Sequence, residues 1–427
     1  MDKIEAITSR VIGKTIEDEP INVYEIGNGK KKTALIIGVP HSDEPLGSLV
    51  TTFFIRWLAL NKEYDCFGWR WLFIPILERR GMRLNEGWFN MPGSFAAMAK
   101  ANFREPTEDQ YEWSFPIQYE DYEWTKSRPE TLAVKSIIEK EKPDLLCGLH
   151  HCGFSNGYYY LSDDIPDLYP ELRQLAKDLR IPLSKNAPDV PFGKMLSEGF
   201  YKMYGLKDYL DYYKKRDPNI LLTIKRGACS DEWYQDEIGG FSFNCEVPLF
   251  LSTKLQDNKM SNRSYTHVLG EKIKRKSARI QFSRYLIDRI KKFSDLADPL
   301  LFDVALKHLE NAEISLKHEI KMLSQTNERL ATNAEVFENE VLADLFDIFF
   351  LGQFWRVAES ICIKGGSPNI CRFMDKIDLE IKLLSKQVHD QGNFYSVPIR
   401  TAVKMQLGSI LIISDALLKD NVDKSQN

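Results

Sequence analysis

Four side chains stand out by type and position: His41, Glu44, His150 and Glu246. The first two close the stretch TALIIGVPHSDEPLG (33–47), where the apolar residues Ala34, Leu35, Ile36, Ile37 and Val39 run into Pro40 and an H-x-x-E pair follows at once. A histidine and a carboxylate on one tight turn are two metal ligands whose relative geometry is fixed locally. A catalytic zinc site needs three protein ligands and one open position, and two histidines with one glutamate are a common set. The third ligand has to come from another segment, and the apolar run 145–149 leads directly into His150 and His151. Neighbouring residues at a strand end point opposite ways, so one of the two ligates. His150 is the favoured ligand because it follows the run directly, and His151 supports the site or points elsewhere. Glu246 lies in FSFNCEVPLF (241–250), a stretch too apolar to carry a carboxylate without cause. Two roles fit it: a buried ion pair with an arginine, or a general base beside a metal-activated water.

Strands are needed to hold these groups. Residues 33–39 read as a buried strand followed by a helix at 45–60, and the ligand pair sits at the carboxyl end of that strand, where open α/β sheets place their chemistry. Residues 21–26 and the turn at 27–29 read as a hairpin arm leading into 33. Further strands are expected at 69–74, 145–149, 158–161, 220–224 and 241–247, with helices at 129–141 and 170–180 and a mostly helical stretch at 190–216. Between them, 78–127 has little periodicity and reads as a long functional loop. This alternation predicts an α/β fold in which helices sandwich the sheet.

Beyond about residue 259 strand patterns stop. Phe302, Leu306, Leu309, Ala312, Leu316, Ile320 and Leu323 step by threes and fours along one helix face, begun by Asp298-Pro299. Further helices are expected at 263–295, 333–363, 368–390 and 398–418. The expected division is therefore a catalytic domain at 1–258 and an all-helical domain at 259–427, whose amphipathic helices pack on each other or on a second copy of the chain. Nine Lys and Arg lie between 272 and 292, either as a solvated face or as a surface for an acidic partner.

The 427 residues suit two domains, and a net charge of −4 gives no general attraction to nucleic acid or membrane. The first twenty residues carry charges throughout and do not resemble a signal peptide. No uninterrupted run of about 18 apolar residues suggests a membrane span. Seven cysteines without a C-x-x-C motif predict free, buried thiols in a reducing compartment, hence a cytoplasmic protein.

The order His41-x-x-Glu44, His150, then Glu246 within N-C-E-V-P resembles the zinc carboxypeptidase family over residues 20–250, together with the segments RLNEGWF (83–89) and NFREP (102–106). The resemblance implies a mixed sheet flanked by helices and a Zn²⁺ ion held by His41, Glu44 and His150. It further implies Glu246 as general base, Arg83 as the group that polarises the scissile carbonyl, and Asn102 and Arg104 as the clamp for a substrate's terminal carboxylate. Tyr234, twelve residues before Glu246, is the match for the family's mobile tyrosine. Three departures bear on specificity. Leu77-Glu78-Arg79-Arg80-Gly81 stands where many members carry Asn-Pro-Asp-Gly, Phe103 separates Asn102 from Arg104, and the tyrosine match rests on spacing alone. The implied activity is removal of a C-terminal amino acid from a peptide. The alternatives are deacylation of N-acyl amino acids, as in the aspartoacylase and succinylglutamate desuccinylase branch, and a degenerate site kept for binding.

Overall fold

A computed structural model describes residues 5–30, 32–89, 94–185, 190–217 and 220–424. In chain order the strands of the main sheet and one hairpin are β1 (Thr8–Lys14), β2 (Pro20–Ile26), β3 (Lys32–Ile37), β4 (Trp69–Ile74), β5 (Ile117–Tyr119), β6 (Tyr122–Trp124), β7 (Leu145–Gly148), β8 (Tyr158–Leu161), β9 (Met195–Ser197), β10 (Phe200–Lys202) and β11 (Phe241–Glu246). The helices of the first half are α1 (Leu46–Leu60), α2 (Arg79–Leu84), α3 (Glu86–Phe89), α4 (Phe95–Ala101), α5 (Pro129–Glu141), α6 (Tyr169–Asp178), α7 (Leu206–Lys214) and α8 (Ser230–Glu237). Those of the second half are α9 (Tyr265–Ile290), α10 (Pro299–Leu323), α11 (Asn333–Phe337), α12 (Ala343–Ile363), α13 (Pro368–Gly392) and α14 (Ile399–Lys424).

The chain forms two compact units. The first combines Met1–Met82, Thr107–Leu249 and Val397–Asn427; the second combines Arg83–Pro106 with Phe250–Ser396. The boundary anticipated at 258 thus lies close to one of these junctions, while 83–106 groups with the helical unit and α14 with the sheet.

The first unit is built on a nine-stranded mixed sheet of order β1-β2-β4-β3-β7-β11-β8-β10-β9. β4, β3, β7 and β11 are consecutive and parallel, and the remaining pairs of the sheet are antiparallel except β8 with β10. β3 is buried along almost its whole length, as its unbroken apolar run requires of a strand covered on both faces. Leu35, Ile37, Leu72 and Ile74 pack with Val134, Ile137 and Ile138 of α5 on one face. Trp71 and Phe73 of β4 meet Phe54 of α1 edge-on at ring-centroid distances of 5.0 and 5.7 Å. On that side Trp69 Nε1 donates to the Ser414 carbonyl of α14. The expected sandwich of sheet between helices is therefore observed.

Several local expectations change. Residues 220–224 contain a 3₁₀ turn, Ile220–Leu222, in place of a strand. The stretch 190–216 contains the short strands β9 and β10 before α7, because Phe200 and Tyr201 stack onto neighbouring strands instead of lining a helix. Within 78–127 the described residues form the short helices α2 to α4 and the β5–β6 hairpin, with irregular chain between them. Residues 399–419 of α14 are long and apolar enough to cross a membrane by length and composition. Within the unit Met405, Ile410 and Ile413 of that helix are fully buried, the packing of a core helix.

In the helical unit the basic run on α9 meets the unit's own carboxylates. Arg275 pairs with Asp344 at 3.3 Å, Lys276 with Glu319 at 2.5 Å and Arg284 with Glu313 at 2.6 Å, while Arg279 pairs with Glu380. These four cations tie α9 to carboxylates of its own unit. Cys362 and Cys371 form a disulfide across the α12–α13 turn, in contrast to the all-thiol expectation; Cys66, Cys147, Cys152, Cys229 and Cys245 are not in disulfides.

Candidate metal centre

Three adjacent parallel strands bring the site together at one edge of the sheet. β3 ends at Ile37 and the chain turns through Gly38, Val39 and Pro40 to His41. A side chain at Gly38 would meet the Pro75 carbonyl oxygen at 2.3 Å, so the close approach of this turn to the end of β4 requires glycine. Val39, wholly buried, takes φ +51°, an unfavourable region for a β-branched residue, and its carbonyl accepts from the Glu78 amide. Such stored strain is typical of positions that aim a functional group.

The ligand-capable atoms of His41, Glu44 and His150 lie within 4.8 Å of one another, and all three residues are buried. His150 Nδ1 stands 3.0 Å from Glu44 Oε2, and the same oxygen accepts from the backbone N–H of His151 at 3.3 Å. The ring of His150 thus joins the cluster, while His151 contributes its backbone.

A fourth group, Glu112, is one that spacing alone does not reveal. Its Oε2 lies 2.7 Å from His41 Nε2 and its Oε1 lies 3.2 Å from His150 Nε2. Burial pushes its carboxyl up, but the His150 and His41 rings outweigh burial and hold it well below the usual carboxylate range. Glu112 is held in place from both sides of the preceding residue. Glu78 Oε1 accepts from the Tyr111 amide at 3.1 Å and Thr131 Oγ1 donates to the Tyr111 carbonyl at 2.7 Å. One signal in the sequence would have found it: Glu112 sits inside Tyr-Glu-Trp-Ser-Phe, a carboxylate in an apolar run like that of Glu246.

These contacts fix the chemistry of the rings. With Glu112 facing both Nε2 atoms, Nδ1 of each imidazole is the nitrogen left to bind a metal. His41 Nδ1 is buried with no hydrogen-bond partner, and His150 Nδ1 faces a carboxylate oxygen at hydrogen-bonding distance. A buried imidazole nitrogen without a partner, beside a second ring nitrogen and a carboxylate oxygen, is what a cation would satisfy. Two imidazoles and one carboxylate suit zinc, and a carboxylate behind each histidine is the usual outer support of such a centre.

Glu246 ends β11, half-buried instead of enclosed, because the strand's last residue emerges at the sheet edge. β11 runs parallel to β7 with Asn244 beside Gly148, the last pair of that ladder, and Glu246 and His150 each follow two residues on. A Cβ placed on Gly148 would lie 2.8 Å from His150 Nε2 and 3.2 Å from Asn244 Oδ1, so ring and amide share one face of the sheet. Glu246, two residues after Asn244, belongs to that face as well. Asn244 Nδ2 also lies 3.3 Å from Asp231, whose carboxyl is raised to about 6 by burial and by the charge of Glu112.

Tyr234 is fully buried in the core with α5, and its hydroxyl donates to the Pro143 carbonyl at 2.6 Å. It is a core residue, and the role of mobile substrate-binding tyrosine does not fit it. Arg83 (exposed), Asn102 (buried) and Arg104 (half-buried) belong to the helical unit. There the carbonyl of Asn102 accepts from Arg356 at 2.9 Å and that of Arg104 lies 2.9 Å from His308 Nε2.

No family model matches the chain, and no curated protein matches it. Among solved structures it is similar to a metallo-carboxypeptidase from Burkholderia cenocepacia, at 15% identity and a TM-score of 0.36, over 58% of this chain and 57% of that one. It is also similar to a putative metallopeptidase from Shewanella denitrificans, at 13% identity and a TM-score of 0.37, over 57% of this chain and 75% of that one. A third is the carboxypeptidase A from Helicoverpa armigera, at 13% identity and a TM-score of 0.35, over 57% of this chain and 60% of that one. At such overlaps the site has to be read from its own atoms.

Proposed function

We propose that this chain is a zinc-dependent hydrolase that cleaves an amide bond at the carboxyl end of a peptide. The observation that carries the reading is the convergence of His41, Glu44 and His150 within 4.8 Å, with His41 Nδ1 buried and unpaired. His41, Glu44 and His150 would hold the ion, and Glu112 would keep both rings in the ligating tautomer. A zinc ion bound there polarises a carbonyl and lowers the pKa of water. Glu246 takes the proton from the attacking water and returns it to the leaving amine, as a general base and then a general acid. For recognition of a free terminal carboxylate the proposed groups are Asn102 and Arg104, with Arg83 for the developing oxyanion; these three roles rest on the family resemblance alone. A guanidinium suits carboxylates because its planar fork pairs with both oxygens.

Two measurements test the reading. Metal analysis of the purified protein should find about one zinc per chain, and His41→Ala should abolish it. Digestion of matched peptides with free and amidated C-termini should show strong preference for the free acid. Equal cleavage of both rejects the exopeptidase reading, and release of amino acids only from N-acyl derivatives redirects it to a deacylase.

A further inference from the structure

The helix α14 carries a polar residue where an apolar one would pack. Gln406 is fully buried, on the same helix face as Ser409 and Ile413, both also fully buried. Its Nε2 donates to the backbone carbonyl of His150 and lies 3.5 Å from the carbonyl of Cys245, the residue before Glu246. Its Oε1 is buried with no hydrogen-bond partner. A buried amide oxygen without a donor is a standing cost, which a leucine at this position would avoid. What the amide supplies in return is its pair of N–H groups, and both are directed at strand ends that carry the site.

The two carbonyls matter because they lie where the pairing of β7 with β11 stops, at Gly148 and Asn244. Cys245 and Glu246 stay paired to β8, opposite Tyr159 and Tyr158, whereas His150 lies beyond the end of β7. One side chain therefore ties the released end of β7 to the end of β11. Ser409, three residues on, bonds Tyr159 Oη at 2.9 Å and lies 3.7 Å from Cys245 Sγ, so the same helix face also holds the side chain of that residue.

We propose that Gln406 is a positioning residue of the metal centre: through the His150 and Cys245 carbonyls it holds the ligand ring of His150 and the carboxylate of Glu246 in mutual register. The inference rests on the zinc reading of the site and adds a contribution from α14, which the sequence pattern places in a separate domain.

The test compares Gln406→Met, which keeps the bulk and removes the donors, with Ile413→Val, which loosens the same helix face without touching the site. Zinc affinity is read by chelator competition, and the ligand field by the visible spectrum of the cobalt(II)-loaded protein. Gln406→Met should bind zinc about 10- to 100-fold more weakly, the range for loss of an outer support, with shifted cobalt bands. Ile413→Val should keep both at the wild-type values. Zinc affinity within twofold of wild type in Gln406→Met, with an unchanged cobalt spectrum, overturns the proposal while leaving the zinc reading intact. A wild type that binds no zinc removes both. Should Gln406→Met fail to fold, hydrogen exchange on the wild type decides: zinc should slow the amides of 402–410 more than those of β1 and β2, and equal slowing in both regions overturns the proposal.

Discussion

The carboxylate of Glu112 stands 2.7 Å from His41 Nε2, and that contact determines which nitrogen is left to bind a metal. An imidazole that donates from Nε2 can ligate a metal only through Nδ1. Glu112→Gln keeps the shape but can present an N–H to one of the rings, which favours the wrong tautomer. Zinc affinity should fall about 10- to 100-fold, measured by chelator competition, with the far-ultraviolet circular dichroism unchanged. Undiminished affinity would place the metal on the other edge of the rings.

Glu246 supplies basicity in the proposed reaction, and its position at the end of β11 leaves it half-buried and accessible to water. Glu246→Gln preserves size and removes the proton acceptor. Turnover should drop at least about 10²-fold while the zinc content stays at the wild-type level. If a fully loaded variant turns over normally, the base lies elsewhere.

How far the site can be read from the chain follows from how local each relationship is. His41 and Glu44 share one turn, and His150 runs straight off an apolar strand, so periodicity and spacing are enough to find them. Glu112 reaches the rings only because Glu78 and Thr131 hold Tyr111 in place, contacts across 33 and 20 residues that no local pattern records. The spacing of Tyr234 from Glu246 carries no information on burial, and the residue is core. α14 reads as part of the helical domain because its apolar face would suit helices or a sheet equally well; Gln406 and Ser409 on that face are the cue that it packs on something polar. Short aromatic strands such as β10 escape because Tyr201 and its neighbours fit a helix as readily as a three-residue strand.

In the helical unit the electrostatics make a separate prediction. Burial pushes the Asp347 carboxyl up to about 6, Arg279 opposes the rise at 3.8 Å, and Asp344 adds to it. An acid whose folded pKa exceeds its ordinary value of 3.8 binds more protons in the native state, so stability falls as pH rises from about 4 to about 6. At neutral pH the cost is up to about 3 kcal/mol, since each tenfold change in proton affinity is worth about 1.36 kcal/mol. Asp347→Asn should flatten this part of the profile and be more stable than wild type at pH 7, as read by urea denaturation at pH 4.5, 5.5 and 7. An unchanged slope in the variant refutes the assignment.

Gly148 gives the sharpest separation of fold from site. Its backbone does not take a positive φ, so alanine is tolerated by the chain itself. The added methyl carbon, however, would lie 2.8 Å from His150 Nε2 and 3.1 Å from His150 Cδ2, closer than such contacts allow. The ring is the movable partner, since the other nearby groups include Asn244 Oδ1 on the neighbouring strand at 3.2 Å. Turning the ring away lengthens its 3.2 Å contact to Glu112 and its 3.0 Å approach to Glu44 together. Gly148→Ala should therefore lose zinc affinity by at least tenfold, with a loss of unfolding free energy in the metal-free protein of no more than about 1–3 kcal/mol, the usual cost of overpacking. Affinity is measured by chelator competition and stability by denaturation in the presence of a chelator. Wild-type affinity in a well-folded Gly148→Ala protein would mean that the His150 ring does not need this orientation to bind the metal, and that His150 is not a ligand in the arrangement described.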